Sequence, residues 1–473
     1  MPKFTRRNKM NRHHKRAHNH AQSGGIPIFA GAQGCVFKPS LKCKNRGRTH
    51  TDNNISKLEE KESAEAELRE YEKIKPHLMQ IKNYKQYFSV QADLCEPDPL
   101  EPSDLVNFDD VCTNLQQFNI TATNVNTNLS KLRMINMPDL GIDLSKWMEQ
   151  PAQFNAAYVR ELNDLISNLL VRAVVPMNQR GVIHNDLKSE NVMIDRNNHS
   201  RIIDWGLAGI TTPKQIIPVH HFMNNPVTFN RPFSTMIISP NVCDLYSSKF
   251  LTTIPASDRI TVEQIKHFTR AIYKIYIDEF NIDGYKYLHY IYKRMFGRND
   301  ATTTEMLLES VATYNAQILH HFTDRDTRTF RLDEYFSNVY RYNTDVWGVM
   351  SVFYSIFMMP RKSFMMSDAA HDDMLRQYRT LFRTVVFANG HERMNVSHIV
   401  KQLQQISHAV SSASKPRTKK KTGRVRFNLN TNPVYMSKTI KRVPTPHPSN
   451  PSNPSNPGNP GNAFYDRIIR LKK

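Results

Sequence analysis

Residues 184–194 read His-Asn-Asp-Leu-Lys-Ser-Glu-Asn-Val-Met-Ile, and residues 202–206 read Ile-Ile-Asp-Trp-Gly. No other part of the chain constrains its fold so tightly. Two carboxylates, Asp186 and Asp204, stand 18 residues apart, with Lys188 and Asn191 just after the first. The apolar runs Val192-Met193-Ile194 and Ile202-Ile203 predict short buried strands separated by a turn. The polar residues are thereby set at the ends of buried strands. Such a grouping suits phosphoryl transfer, which needs oxygen ligands for Mg²⁺, a carboxylate for the attacking hydroxyl and a cation near the moving phosphate. Alone, Asp186 reads as a turn cap and Asp204 as a strand end; the combined order H-x-D-L-K-x-x-N, strand, turn, strand, D-x-G carries the specificity.

At 473 residues the chain has room for one large or two ordinary domains. Its net charge of +21 is placed unevenly: residues 1–20 hold seven Lys/Arg and no acid, and residues 415–473 hold fourteen against the single acid Asp466. The body between them is close to neutral. The longest apolar run, Val346 to Met359, is too short to span a bilayer, so no membrane association is expected. The basic N-terminus lacks the apolar region of a secretory signal. Five cysteines (Cys35, Cys43, Cys95, Cys112, Cys243) never fall in C-x-x-C spacing. They predict free thiols in a reducing intracellular compartment.

The chain divides into a basic arm over 1–24, a strand-rich segment over 25–140, a mainly helical segment over 141–410 with an insertion around 240–340, and a tail over 411–473. His13, His14, His18 and His20 in the arm have no Cys or acid beside them and read as a solvated tail. A helix is expected from Glu59 to Lys75, and a core helix over 158–180, where Leu162, Leu165, Ile166, Leu169, Leu170 and Val174 recur at helical spacing. The tail is Lys/Arg-rich and then repeats Pro-Ser-Asn and Pro-Gly-Asn, a composition that builds no core.

Upstream, Phe29-Ala-Gly31-Ala-Gln-Gly34-Cys-Val36 has glycines that let a hairpin backbone approach phosphate oxygens; an ordinary turn is an equal reading. Lys57 stands in a strand pattern. The helix after it offers Glu65, Glu67 and Glu70, of which Glu67 fits best as a partner because Tyr71 and Ile74 follow on its face. The strand around Met137 breaks at Pro138 and Gly141, and Asp143 follows. Further on, Asp345 precedes Val-Trp-Gly at an expected helix start, where it serves as a buried carboxylate or a simple N-cap.

Taken together, residues 26–400 resemble a eukaryotic-type protein kinase, most of all the serine/threonine kinases of large nucleocytoplasmic DNA viruses. The phrases Gly34-Cys-Val-Phe-Lys-Pro-Ser-Leu-Lys-Cys43, Met137-Pro-Asp-Leu-Gly-Ile-Asp-Leu144 and Phe229-Asn-Arg-Pro-Phe-Ser234 carry that likeness. The resemblance implies an α+β, two-lobed kinase fold, ATP and Mg²⁺ as cofactors, and protein hydroxyls as acceptors. By it Asp186 is the base, Lys188 neutralises the moving phosphate, Asn191 and Asp204 hold Mg²⁺, and Lys57 with Glu67 positions ATP. Gly31, Gly34 and Val36 cover the nucleotide, and the backbone at Met137 meets the adenine edge. The chain departs from the pattern at Phe29 for the first glycine, at Asn185 for the arginine beside the base, at Trp205 for phenylalanine, and in lacking Ala-Pro-Glu. The Asn185 departure implies activity without activation-loop phosphorylation. Two rivals are a small-molecule phosphotransferase of related fold and a catalytically weak kinase-fold scaffold. The run 415–426, seven Lys/Arg in twelve residues, reads equally as a non-specific nucleic-acid contact, a nuclear import signal or a solvated tail. Oligomeric state is not legible.

Overall fold

Residues 25–30, 34–44, 53–90, 92–150, 154–217, 228–280, 283–297 and 299–413 are described by a computed structural model of the chain. Gly31, the basic arm 1–24 and the basic run 415–426 with the tail after it lie outside the described residues. The chain divides into two units, one of residues 1–68 and 91–139, the other of residues 69–90 and 140–473.

The first unit is built on five antiparallel strands, β1 (Ile26–Ala30), β2 (Gly34–Lys38), β3 (Asn54–Glu60), β4 (Asp93–Cys95) and β5 (Leu132–Pro138), in the order β1-β2-β3-β5-β4. Register is set by burial on one face. Cys35, Phe37, Leu58, Leu132 and Met134 join Phe108, Leu115 and Ile120 in one apolar cluster, and slipping a strand by one residue would turn that set to solvent. Gly34 lies opposite Glu59, where a Cβ would come within 2.6 Å of the Leu58 carbonyl oxygen and 2.4 Å of Glu59 Cγ, so β2 can approach β3 only through glycine.

The Glu-rich run after Lys57 does not begin a helix at Glu59. Glu59 and Glu60 complete β3 opposite Arg133 and Leu132, and the helix α1 runs Lys61–Leu78. The free-thiol expectation is corrected as well. Cys35 is bonded to Cys112 and Cys43 to Cys95 across 77 and 52 residues of sequence, leaving Cys243 as the free thiol. Sheet register brings these cysteines together, which sequence spacing cannot show.

In the second unit the helix Ala156–Leu169 is capped by Asn155, whose side chain accepts from the Tyr158 N–H at 3.0 Å. It continues through a π turn, Leu170–Val174, into Val175–Gln179. The helix Val396–Ala413 packs on it through Asn163, which donates to the Leu403 carbonyl at 3.1 Å and the Ser407 hydroxyl at 3.0 Å. Helices Val262–Phe280, Asp283–Phe296 and Asp300–Phe322 fill the region of the expected insertion. The apolar run from Val346 is mostly buried: Arg341–Met350 is helical, and Ser351–Phe353 and Tyr354–Met358 continue it, with Ser355, Met358 and Met359 half-buried. Among the described residues no helix is long and apolar enough to cross a membrane. A strand-rich sheet unit and a mainly helical one together fit a kinase-type α+β fold.

Candidate active site

The two apolar runs of residues 192–203 form a hairpin. Strands Val192–Ile194 and Ser200–Ile202 pair antiparallel with Val192 opposite Ile202. Asp195 closes the turn by accepting from the Asn197 and His199 N–H groups at 2.8 and 3.0 Å. At the open end the Ile203 N–H donates to the Asn191 carbonyl at 3.1 Å, which sets Asp204 beside Asn191. His184, wholly buried, donates from Nε2 to the Ile203 carbonyl at 2.8 Å, so its Nδ1 is the acceptor facing the Asp186 N–H at 3.3 Å.

Asp186 collects donors. Lys188 Nζ reaches Oδ2 at 2.9 Å; the Asn191 amide reaches Oδ2 at 3.1 Å and the Asp186 carbonyl at 2.8 Å; the Asn230 amide reaches Oδ1 at 2.8 Å. Burial works against ionising this carboxyl, but Lys188, then Arg231 and Asn230, hold it below the usual carboxylate range. The group is therefore an ionised acceptor at neutral pH. An orienting acceptor is what a loose phosphoryl-transfer transition state asks of the residue beside the attacking hydroxyl. Burial likewise opposes the Lys188 charge, and Asp186 more than offsets it, raising the ammonium above the ordinary lysine range. With its nitrogen engaged, Asn191 has Oδ1 to offer a cation. Asp204 is exposed and held at φ 65°. One amide oxygen and one carboxylate match Mg²⁺, which keeps water and substrate phosphate in most of its coordination sites. Among the described residues no cluster of three or more His, Cys, Asp or Glu side chains is arranged as a metal cage.

The loop is held from below by Asp345, which is wholly buried. Its Oδ2 accepts from the His184 N–H at 2.9 Å and the Asn178 amide at 2.7 Å, and its Oδ1 accepts from the Asn185 N–H at 2.9 Å. Burial drives the Asp345 carboxyl upward, partly countered by His184 and these donors. Asp345 is not at the helix start: Arg341 begins the helix after a π turn, so the N-cap reading does not hold. Gly348 lets this helix touch the loop, since a Cβ there would lie 2.5 Å from the Leu187 carbonyl oxygen. The Trp205 indole, fully buried, donates to the Ser89 carbonyl at 2.8 Å and packs its ring 4.9 Å from His184.

In the sheet unit Lys57 Nζ lies 2.6 Å from Glu67 on α1 and 2.5 Å from Glu59 on its own strand. Glu65 faces Arg133 instead, and Glu70 pairs with Lys73. Burial disfavours the Lys57 charge, yet Glu67 and Glu59 together lift it above the ordinary lysine range. Burial pushes the Glu59 carboxyl up to about 7 despite Lys57. Val36 is opposite Lys57 in the β2–β3 register, Ile55 is opposite Met137, and both Val36 and Met137 are half-buried. Asp143 caps the helix Leu144–Glu149, accepting from the Lys146 N–H at 2.9 Å.

Residues 113–229 match the family model of the protein kinase domain. That span holds Asp186, Lys188, Asn191 and Asp204, and it leaves out Lys57, Glu67 and Asp345. The chain is also 34% identical over 67 residues to the serine/threonine-protein kinase ppk35 of Schizosaccharomyces pombe, covering 14% of this chain and 11% of that relative. The chain thus matches about a tenth of that relative's length.

Glu59, Asn178, Asn230 and Arg231 escaped sequence reasoning. The Phe229-Asn-Arg-Pro phrase, standing where Ala-Pro-Glu is missing, was the signal that could have drawn attention to the last two.

Proposed function

We propose that this protein is a serine/threonine protein kinase that transfers the γ-phosphate of MgATP to protein hydroxyls. The observation that carries the reading is the Asp186 carboxylate, ionised and gripped by Lys188 and Asn191 at the mouth of a hairpin ending in Asp204. Asp186 orients the acceptor hydroxyl and receives its proton as the O–P bond forms. Lys188 offsets charge on the transferring group. Asn191 Oδ1 and Asp204 would hold Mg²⁺, which supplies positive charge to the phosphates when bound. Lys57, fixed by Glu67, anchors nucleotide phosphates in the role that a strand lysine and a helix glutamate share in such enzymes. Lys188, two residues after the base, supports Ser/Thr rather than Tyr as acceptor, and the phrases around Gly34, Met137 and Phe229 support kinship with the kinases of large DNA viruses. The basic run 415–426 belongs to the same reading as an accessory nucleic-acid contact, whose binding would fall steeply with salt and vanish on deleting 415–473.

The test offers the full chain γ-labelled ATP and Mg²⁺ with histone, casein, or small alcohols and aminoglycosides as acceptors. Phosphoserine or phosphothreonine in protein is the expected product. Label found only in the small acceptors would make the protein a small-molecule phosphotransferase, and phosphotyrosine would overturn the Ser/Thr assignment.

A further inference from the structure

Asn185, beside the base, sits at φ 63°, in the left-handed region that asparagine tolerates better than most residues. The residue is 1% exposed, and among the described residues neither amide atom of its side chain has a hydrogen-bond partner. What the bend accomplishes is done by the backbone: the Asn185 N–H points to Asp345 and its carbonyl accepts from Arg231 Nε at 2.7 Å. Arg231 is itself 3% exposed, and its Nη1 is buried with no partner among the described residues. Burying a guanidinium without full hydrogen bonding is costly, so its retention calls for a reason. Its neighbour Asn230 gives one of its amide hydrogens to Asp186 Oδ1 at 2.8 Å and approaches the Leu187 carbonyl at 3.3 Å.

The segment that carries these residues is fastened into the helical unit. Trp347 donates to the Phe229 carbonyl at 3.0 Å, and the Phe233 ring lies 4.9 Å from Trp347 and 5.4 Å from Phe387. Tyr335 donates to Ser234 at 2.7 Å, and the Thr235 and Tyr340 hydroxyls meet at 3.0 Å. Ser234 and Thr235 are wholly buried, so neither hydroxyl is open to modification in the folded chain. Fixed contacts of this kind supply the order that a phosphate would otherwise create.

We infer that Asn230 and Arg231 form a phosphate-independent brace for the catalytic loop: Asn230 is a positioning residue for the Asp186 carboxylate, and Arg231 supplies from a buried segment the cation that Asn185 lacks. The inference rests on the kinase reading and adds to it the regulation of the same loop. The groups that face Asp186 are Lys188, Asn191, the His184 ring, Asn230 and Arg231, with Asp345 beneath the loop and Asp204 and Glu190 beside Lys188. Lys188 is the cation in contact with the base, and Arg231 adds a second positive charge behind it.

The experiment compares full-length wild type, Asn230→Ala, Asn230→Asp, Arg231→Met and Arg231→Lys, with histone and MgATP, before and after phosphatase treatment. Asn230→Ala should lower kcat roughly 10- to 100-fold with KM for ATP within about twofold, and Asn230→Asp should lower it further. Arg231→Met should lower kcat roughly 10-fold with KM for ATP within about twofold, and Arg231→Lys should restore part of that loss. Phosphatase-treated wild type should keep its activity. Wild type that transfers phosphate but loses most of it to phosphatase overturns the brace, and so do Asn230 variants within about twofold of wild type. Should Arg231→Met fail to fold, by thermal melt, the Asn230 pair and the phosphatase arm decide. Wild type without any transfer refutes the kinase reading itself.

Discussion

Replacing Glu59 with Gln should make the protein less sensitive to rising pH. Glu59 is completely buried on β3, 2.5 Å from Lys57, whose ammonium is also 2.6 Å from Glu67. Burial raises the Glu59 carboxyl from 4.5 to about 7. An acid whose folded value lies above its unfolded value binds its proton more tightly when folded. Its contribution to stability is therefore full below the unfolded value and is lost as pH rises through the folded one. Between pH 5 and pH 8 that loss comes to about 2.5 kcal/mol. Glu59→Gln has no proton to lose and still leaves Lys57 paired with Glu67. Calorimetric melts of wild type and variant at pH 5, 6, 7 and 8 should diverge, wild type falling by roughly 3 °C relative to the variant across the series. Parallel curves would refute the reasoning. A wild type that gained on the variant with rising pH would show Lys57 overriding burial, with Glu59 ionised throughout.

Three further outcomes follow from the structure. Asp345→Ala strips the acceptor from three buried donors, on His184, Asn185 and Asn178, and should destabilise the chain by about 3–5 kcal/mol, measured as a calorimetric shift, with activity falling alongside. Under denaturing, non-reducing conditions one thiol, Cys243, should react with a thiol reagent and all five after reduction. Reduction should also lower the melting temperature, because loops closed over 77 and 52 residues each confine the unfolded chain by up to roughly 4 kcal/mol.

The grouping of Asp186, Lys188 and Asn191 was legible because its members are neighbours in the chain, and the apolar runs around them left a hairpin as the economical arrangement. The Lys57–Glu67 pair could be read for a similar reason, since one strand and the helix after it carry both residues. Glu59 was misread because a Glu-rich run looks the same at the end of a strand as at the start of a helix; its place on β3 is decided by pairing with β5, more than 70 residues away. The disulfides were hidden for the same reason. Asn230 and Arg231 reach the loop across 44 and 46 residues, through a segment whose position depends on the packing of Trp347 and Phe233. Asp345 was recognised as a buried acceptor, but the π turn before Arg341 moved the helix start ahead of it. Periodicity reports local faces, whereas these features are set by register and packing between distant elements.

The most direct test of the central claim is γ-phosphate transfer from MgATP to protein by wild type and by Asp186→Asn, measured side by side with ATP binding. The account predicts phosphoserine or phosphothreonine from wild type, at least about 100-fold less from the variant, and ATP binding retained by both. Transfer that survives Asp186→Asn, or a wild type that binds ATP and transfers nothing, would contradict it.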